Sequence, residues 1–170
     1  MYKFDTHVHC REGSYDGLVS ILETVKSLKE QGYSGMIITD HDSYDGWRFY
    51  QENKPVDEDF VVIKGIELTT DRGHLIAVPY SESDDYLEHC EGSSVDFFIK
   101  EARKHGYMIG IPHPYCEFYG ACTYGDPLND DDLNMVSRLD FVEVFNPGTT
   151  SYSNRYANKI AEQLNKPQVS

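Results

Sequence analysis

Positive charge is scarce in this sequence: 15 Lys and Arg stand against 29 Asp and Glu in 170 residues, a formal charge of −14. Sequence-independent binding to nucleic acid draws its affinity from neutralised phosphates, so this balance excludes a DNA-coating role. Metal cations would offset part of the acidic excess. Long hydrophobic runs are also missing. None approaches the roughly 18 residues that a membrane helix needs, and no charged segment followed by an apolar one opens the chain. A cytoplasmic protein with no membrane partner is expected. Cysteine is sparse, and Cys10, Cys90, Cys116 and Cys122 contain no C-x-x-C pair. The chain is too large to depend on disulfide staples, so free thiols packed as small buried groups are expected. Cys10 and Cys116 lie close enough to histidine motifs to reach a metal. There is no G-x-S-x-G elbow of a Ser-His-Asp esterase and no G-x-x-x-x-G-K-[ST] phosphate loop. Repeats, low-complexity tracts and Pro/Ser-rich linkers are absent as well, which points to one domain over residues 1–170.

What is present suffices for a core: 39% of residues are hydrophobic and 13% aromatic. The pattern alternates strand and helix. Tyr2–His9, Gly35–Thr39, Phe60–Ile66, Leu75–Val78, Tyr107–Ile111 and Phe141–Phe145 read as six strands, with Gln168–Ser170 the beginning of another. Leu18, Ile21, Leu22, Val25 and Leu28 recur at helical spacing before Gly32; a second helix runs from Ser94 to Gly106, and Tyr156, Ile160 and Leu164 mark a closing one. The acidic stretches Ser81–Glu91 and Asp126–Asp132 read as solvated loops. Alternation of this kind implies an α/β fold with a mainly parallel sheet. An eight-unit barrel typically takes about 250 residues, so a sheet that stops before closing is expected, with an open edge through which copies could pair.

Five of the seven histidines sit at strand ends. In Asp5-Thr6-His7-Val8-His9, side chains at i and i+2 share a face, so His7 and His9 project together. The next two strands run into Thr39-Asp40-His41-Asp42 and Gly65-Ile66-Glu67, the fourth begins at Gly73-His74-Leu75, and the fifth ends in Pro112-His113-Pro114. In a parallel barrel the carboxyl ends of strands converge on one mouth. His7, His9, His41, Glu67 and His113 should meet there as a metal centre.

These motifs, D-T-H-V-H, T-D-H-D, G-I-E with H-L-I, and P-H-P, resemble in order and spacing those of the polymerase and histidinol phosphatase (PHP) family. The resemblance implies a distorted, TIM-like (β/α)7 barrel binding two or three divalent ions, commonly Mn, Zn or Fe. It also implies phosphoester hydrolysis by a metal-bound hydroxide. Carried over, His7 and His9 hold a first ion, Glu67 bridges to a second completed by His74 and His113, and His41 serves a third with Asp16. Tyr15-Asp16-Gly17 is similar to the family's S-D-G stretch, and Ser14–Gly17 could equally cap a turn. The family's closing S-D-x-H motif is missing. Relative to the family the chain therefore reads as truncated at its C-terminus, short of two ligands, with fewer ions expected.

Other candidates flank these motifs. Asp5, Asp40 and Asp42 could orient ligand rings or cap turns. Arg72 could contact substrate phosphate or stand exposed, and Asn146 could bond substrate or shape a turn. The substrate implied is a small phosphomonoester or a nucleotide end. The alternatives are a metal-binding scaffold without catalysis and a fragment completed by a partner chain.

Overall fold

The computed structural model describes residues 2–55, 59–116, 120–123 and 127–170. Strand β1 (Phe4–Val8), helix α1 (Ile21–Glu30), β2 (Gly35–Ile38), α2 (Asp45–Asn53) and β3 (Val61–Lys64) form the first half. The second half comprises β4 (Ile66–Thr70), β5 (Gly73–Pro79), α3 (Val95–His105), β6 (Tyr107–Ile111), α4 (Asp130–Ser137), β7 (Phe141–Glu143), α5 (Ser151–Gln163) and β8 (Gln168–Val169). Helix termini follow local chemistry. Ser94, Asn129 and Thr150 accept the backbone N–H three residues on, at the starts of α3, α4 and α5. Gly106 closes α3 at φ +75°, a conformation most side chains avoid. Among the described residues no helix is long and apolar enough to cross a membrane.

The strands make two sheets, not one closed barrel. The first is parallel, in order β1-β2-β3; the second has order β4-β5-β6-β7-β8. In the second sheet β5 runs antiparallel to both neighbours, so only β6, β7 and β8 pair in parallel there. Instead of six strands and a stub there are eight among the described residues, because the single run expected over Phe60–Ile66 is broken at Gly65. A Cβ at Gly65 would lie 2.8 Å from Ile37 Cγ2 and from the Ile38 carbonyl. Only glycine lets the chain pass so near β2 as it leaves the first sheet. Thr70 then turns through Asp71 and Arg72 into β5, and Gly73 sits at φ +136°. Among the described residues one isolated parallel bridge, His41 with Glu67, joins the backbones of the two sheets: Glu67 N–H donates to the Asp40 carbonyl at 3.1 Å and Asp42 N–H to that of Glu67 at 3.0 Å. Side chains of Ile37 and Ile63 also pack on Ile76, Val78 and Phe141 across the sheets.

Each sheet has its own apolar core: Ile21, Val25, Met36, Ile38 and Trp47 in the first half, and Leu68, Leu75, Phe98, Ile109, Val136 and Ile160 in the second. The two acidic stretches are not plain loops. Asp130–Asp132 form the first turn of α4, where carboxylates favour the N-terminal end of the helix dipole; Asp126 lies outside the described residues. In the other stretch Tyr86–His89 is a 3₁₀ turn with Leu87 fully buried.

That stretch is tied down by Lys64, which is 2% exposed. Its Nζ donates to the carbonyls of Glu82 and Asp84, each at 2.8 Å, and to the Asp85 carboxylate, and it lies 4.2 Å from the centre of the Tyr44 ring. Removing the ammonium leaves buried carbonyls without donors. Lys64→Met is expected to lower unfolding free energy by about 2–3 kcal/mol, measured by urea denaturation.

Candidate metal centre

The site is built around Glu67, fully buried on β4. One oxygen, Oε2, lies 3.1 Å from His7 Nε2 and 2.9 Å from His9 Nε2, and those two nitrogens are themselves 2.9 Å apart. The other, Oε1, lies 2.9 Å from His113 Nε2 and 3.2 Å from His74 Nδ1. A single carboxylate thus stands between four imidazoles, two on each oxygen. His41 follows β2 with Nδ1 3.7 Å from Oε2 and Nε2 3.5 Å from Asp16 Oδ2. Asp16 turns its other oxygen to His9 Nδ1 at 2.9 Å and accepts from Ser14 Oγ at 2.6 Å.

The protons decide what such a cluster can hold. His7 Nδ1 faces Glu143 Oε1 at 3.1 Å, and His9 Nδ1 faces Asp16. A neutral ring that donates from Nδ1 to a carboxylate presents a bare lone pair at Nε2. In that neutral state two lone pairs and a carboxylate oxygen converge within hydrogen-bond distance, and either added protons or a cation must answer them. The buried Nδ1 atoms of His41 and His74 also lack a hydrogen-bond partner among the described residues, although both rings face Glu67. Ligands at right angles around an ion bonded at about 2.1 Å lie about 3.0 Å apart, which is the spacing of these donors. The residues present therefore fit divalent ions. Two donor groups are compact enough to hold one: His7, Glu67 and His113, and His9, His41 and Glu67.

Electrostatics agree with the geometry. Burial opposes charge on Glu67, but His7, His113 and His74 outweigh it and hold the carboxyl well below its usual range. Burial likewise opposes charge on His7, yet Glu67 and Glu143 push its pKa well up. Burial lowers that of His41. With no ion bound, protons on histidine neutralise the carboxylates; a cation replaces them.

Seven residues expected as ligands, His7, His9, Asp16, His41, Glu67, His74 and His113, line one cleft of ≈ 540 Å³. Arg72 does not line it. Its guanidinium is turned to Asp131 at 3.0 Å and Asp132 at 3.3 Å on α4, because the β4–β5 turn carries it to that side. Asn146 is at the cleft, but its Nδ2 donates to Glu143 at 3.2 Å and its Oδ1 accepts from Gly148 N–H at 2.9 Å, so the amide shapes a turn. Two roles are open to Asp5, Asp40 and Asp42, orienting ligand rings or capping turns, and all three accept hydrogen bonds from backbone N–H groups. Asp5 accepts from His7 N–H at 3.3 Å. Asp40, fully buried, accepts from Cys10 N–H at 2.6 Å and from its thiol at 3.0 Å, pinning the residue after His9. Asp42, at φ +53°, accepts from Thr69 N–H and Oγ1, each at 2.6 Å, clamping the His41 segment onto β4. All four thiols are buried and unbridged, and Cys10 points at Asp40 rather than at the histidines.

Sequence reasoning passed over Glu143. It is 3% exposed at the end of β7, where Oε1 meets His7 and Oε2 accepts from His113 N–H at 2.6 Å. The available signal was a carboxylate in the apolar run F-V-E-V-F, since an acid in a buried strand needs a partner. Ser14 was also missed, read only as a turn residue.

A model of the PHP domain matches residues 5–133. The chain belongs to the PHP domain family. Solved structures share this PHP fold. A proposed metal-dependent phosphoesterase from Bifidobacterium adolescentis superposes with a TM-score of 0.71 at 15% identity, covering 98% of this chain and 85% of that one. A two-domain protein from Bacteroides vulgatus, containing a predicted PHP-like metal-dependent phosphoesterase, gives 0.64 at 21% identity, over 98% of this chain and 50% of that one. PsfC from Pseudomonas syringae gives 0.66 at 17%, over 99% and 75%. No curated protein matches the chain.

The PHP centre's dependence on Glu143 is open to measurement. Glu143→Gln removes the charge that holds His7 in its ligand tautomer and is expected to weaken Mn2+ or Zn2+ binding by about 10- to 100-fold in chelator competition. Asp16→Asn, at a side chain 45% exposed, should cost less.

Proposed function

We propose that this PHP domain is a metal-dependent phosphoesterase that hydrolyses small phosphomonoesters or nucleotide ends. The observation that carries the reading is the set of lone-pair donors gathered on both oxygens of Glu67. His7, His9, His41, Glu67, His74, His113 and Asp16 would hold two or three divalent ions, Mn, Zn or Fe. Bound ions of this kind lower the pKa of water toward about 7 and neutralise charge on phosphoryl oxygens.

The chain's own side chains set the conditions for that chemistry. Glu143 and Asp16 keep His7 and His9 in the tautomer that donates a lone pair toward Glu67. Among the described residues no Lys or Arg lines the cleft, which leaves phosphate charge to cations that the histidines and Glu67 would gather. A covalent route has little support: Ser14 Oγ donates to Asp16, and the Cys10 thiol is directed at Asp40 with burial pushing its pKa far up. A nucleophile supplied by water is the reading that remains.

Elemental analysis after chelator-free purification, with phosphomonoester turnover, tests the proposal. Wild type is expected to retain at least one equivalent of Mn, Fe or Zn. Glu67→Ala should lose most of it and at least ~100-fold in kcat/KM. Bound metal without turnover under any metal supplement would favour the scaffold reading, and absence of metal would overturn both.

A further inference from the structure

Tyr15 has no part in the chemistry above, yet it is fixed beside it. Its ring is 85% exposed and stacks on His41, with centroids 5.0 Å apart and planes 14° from parallel. It lines the same cleft as the ligand histidines. The contact with His41 orients the ring at the edge of the cleft and leaves most of its surface open. The segment that carries it is tightly built: Ser14 N–H donates to the Cys10 carbonyl at 2.9 Å, Gly17 N–H to that of Ser14 at 3.1 Å, and Arg11 N–H to that of Val19 at 2.9 Å. A Cβ at Gly17 would collide with the Cys10 carbonyl, which keeps the turn closed. Neighbouring Asp16 is bonded to His9, which ties the backbone that carries Tyr15 to the histidine cluster. Leu18, 86% exposed, extends the apolar character of this segment. Among the described residues no Lys or Arg lines the cleft to grasp a charged leaving group.

We infer that Tyr15 is a specificity residue that stacks on a planar ring in the leaving alcohol, so that the substrate is a ring-bearing phosphomonoester. This rests on the hydrolase reading for turnover, while the stacking itself does not. Hydrolysis adds water across the P–O bond, giving the free alcohol and inorganic phosphate, and the ring is held unchanged throughout. A flat, pre-ordered aromatic face needs no hydrogen-bond code to recognise such a ring, and base–aromatic stacking accounts for factors of about 5 to 100 in affinity.

Two measurements test it, each on wild type, Tyr15→Ala and Tyr15→Phe. In the first, kcat/KM is compared for adenosine 5′-monophosphate, benzyl phosphate and ribose 5-phosphate, all esters of primary alcohols. Wild type and Tyr15→Phe should favour a ring-bearing ester over ribose 5-phosphate by about tenfold, and the preference should fall toward unity in Tyr15→Ala. Whichever ring-bearing ester is favoured identifies a nucleoside or an aryl source. In the second, saturation-transfer NMR with adenosine, which has no phosphate, should show base-proton signals with wild type and Tyr15→Phe that vanish with Tyr15→Ala. Equal preference or equal signals in wild type and Tyr15→Ala overturn the inference. Tyr15-dependent adenosine signals without turnover of any phosphomonoester would sink the hydrolase reading and leave the stacking site standing.

Discussion

A buried carboxylate with four imidazoles around it is the constraint to which the rest of this fold answers. Taking Glu67 out of water is costly unless positive charge returns to it, as protonated histidine or as metal. The fold brings that charge from every side. His7 and His9 come from the end of β1, His41 from the turn after β2, His74 from β5 and His113 from the end of β6. No two neighbouring strands could supply them all. The break at Gly65 serves the same end, since it ends the first sheet and starts β4 one residue before Glu67, at the bridge to His41. The seam between the two sheets and the candidate metal centre are one place.

The carboxylates divide into three kinds of work. Glu67 faces imidazole nitrogens with both oxygens. Glu143 and Asp16 stand one step out, each on the far nitrogen of a ring whose near nitrogen meets Glu67. Asp40 and Asp42 hold backbone, at Cys10 and Thr69, and so fix where the histidine-bearing segments begin and end. The order of burial follows from the work: Glu67 and Asp40 are fully buried, Glu143 nearly so, and Asp16 partly exposed. An acidic surplus on the whole chain thus includes a small set of carboxylates whose charge is answered locally by histidine and by backbone N–H groups.

Residue-level reasoning brought the inner ring of His7, His9, His41, Glu67 and His113 together because strand periodicity and strand ends are local signals, while His74 came only with the family resemblance. His7 and His9 share a face by the period of two, and the histidine between two prolines, His113, marks a strand end irrespective of what surrounds it. The outer ring was not legible in the same way. Glu143 is three residues from Asn146 in sequence but touches His7 across 136 positions, and only tertiary structure says which partner a buried acid has chosen. Arg72 shows the converse. Its place next to Gly73-His74 suggested the site, yet the tight turn between β4 and β5 sends its side chain to α4. Helix α4 itself was hidden by three consecutive aspartates, a loop signal by composition and a helix start once Asn129 is seen to cap it.

The seam also explains why recognition of a substrate would fall to so few groups. Almost every polar atom at the mouth of the cleft is engaged inwardly: Asn146 with Glu143 and Gly148, Ser14 with Asp16, Asp16 with His9. A group bonded to the scaffold keeps the metal donors in place but has little left with which to read a ligand. What remains outward-facing is the exposed ring of Tyr15, which needs no free donor or acceptor because it binds through its face. Rigidity in the polar groups and selectivity in an aromatic one are therefore two sides of the same arrangement. The histidines and carboxylates are locked to one another in an arrangement that fits ions, and under the proposed function discrimination between substrates would be left to a side chain that makes no hydrogen bond within that network.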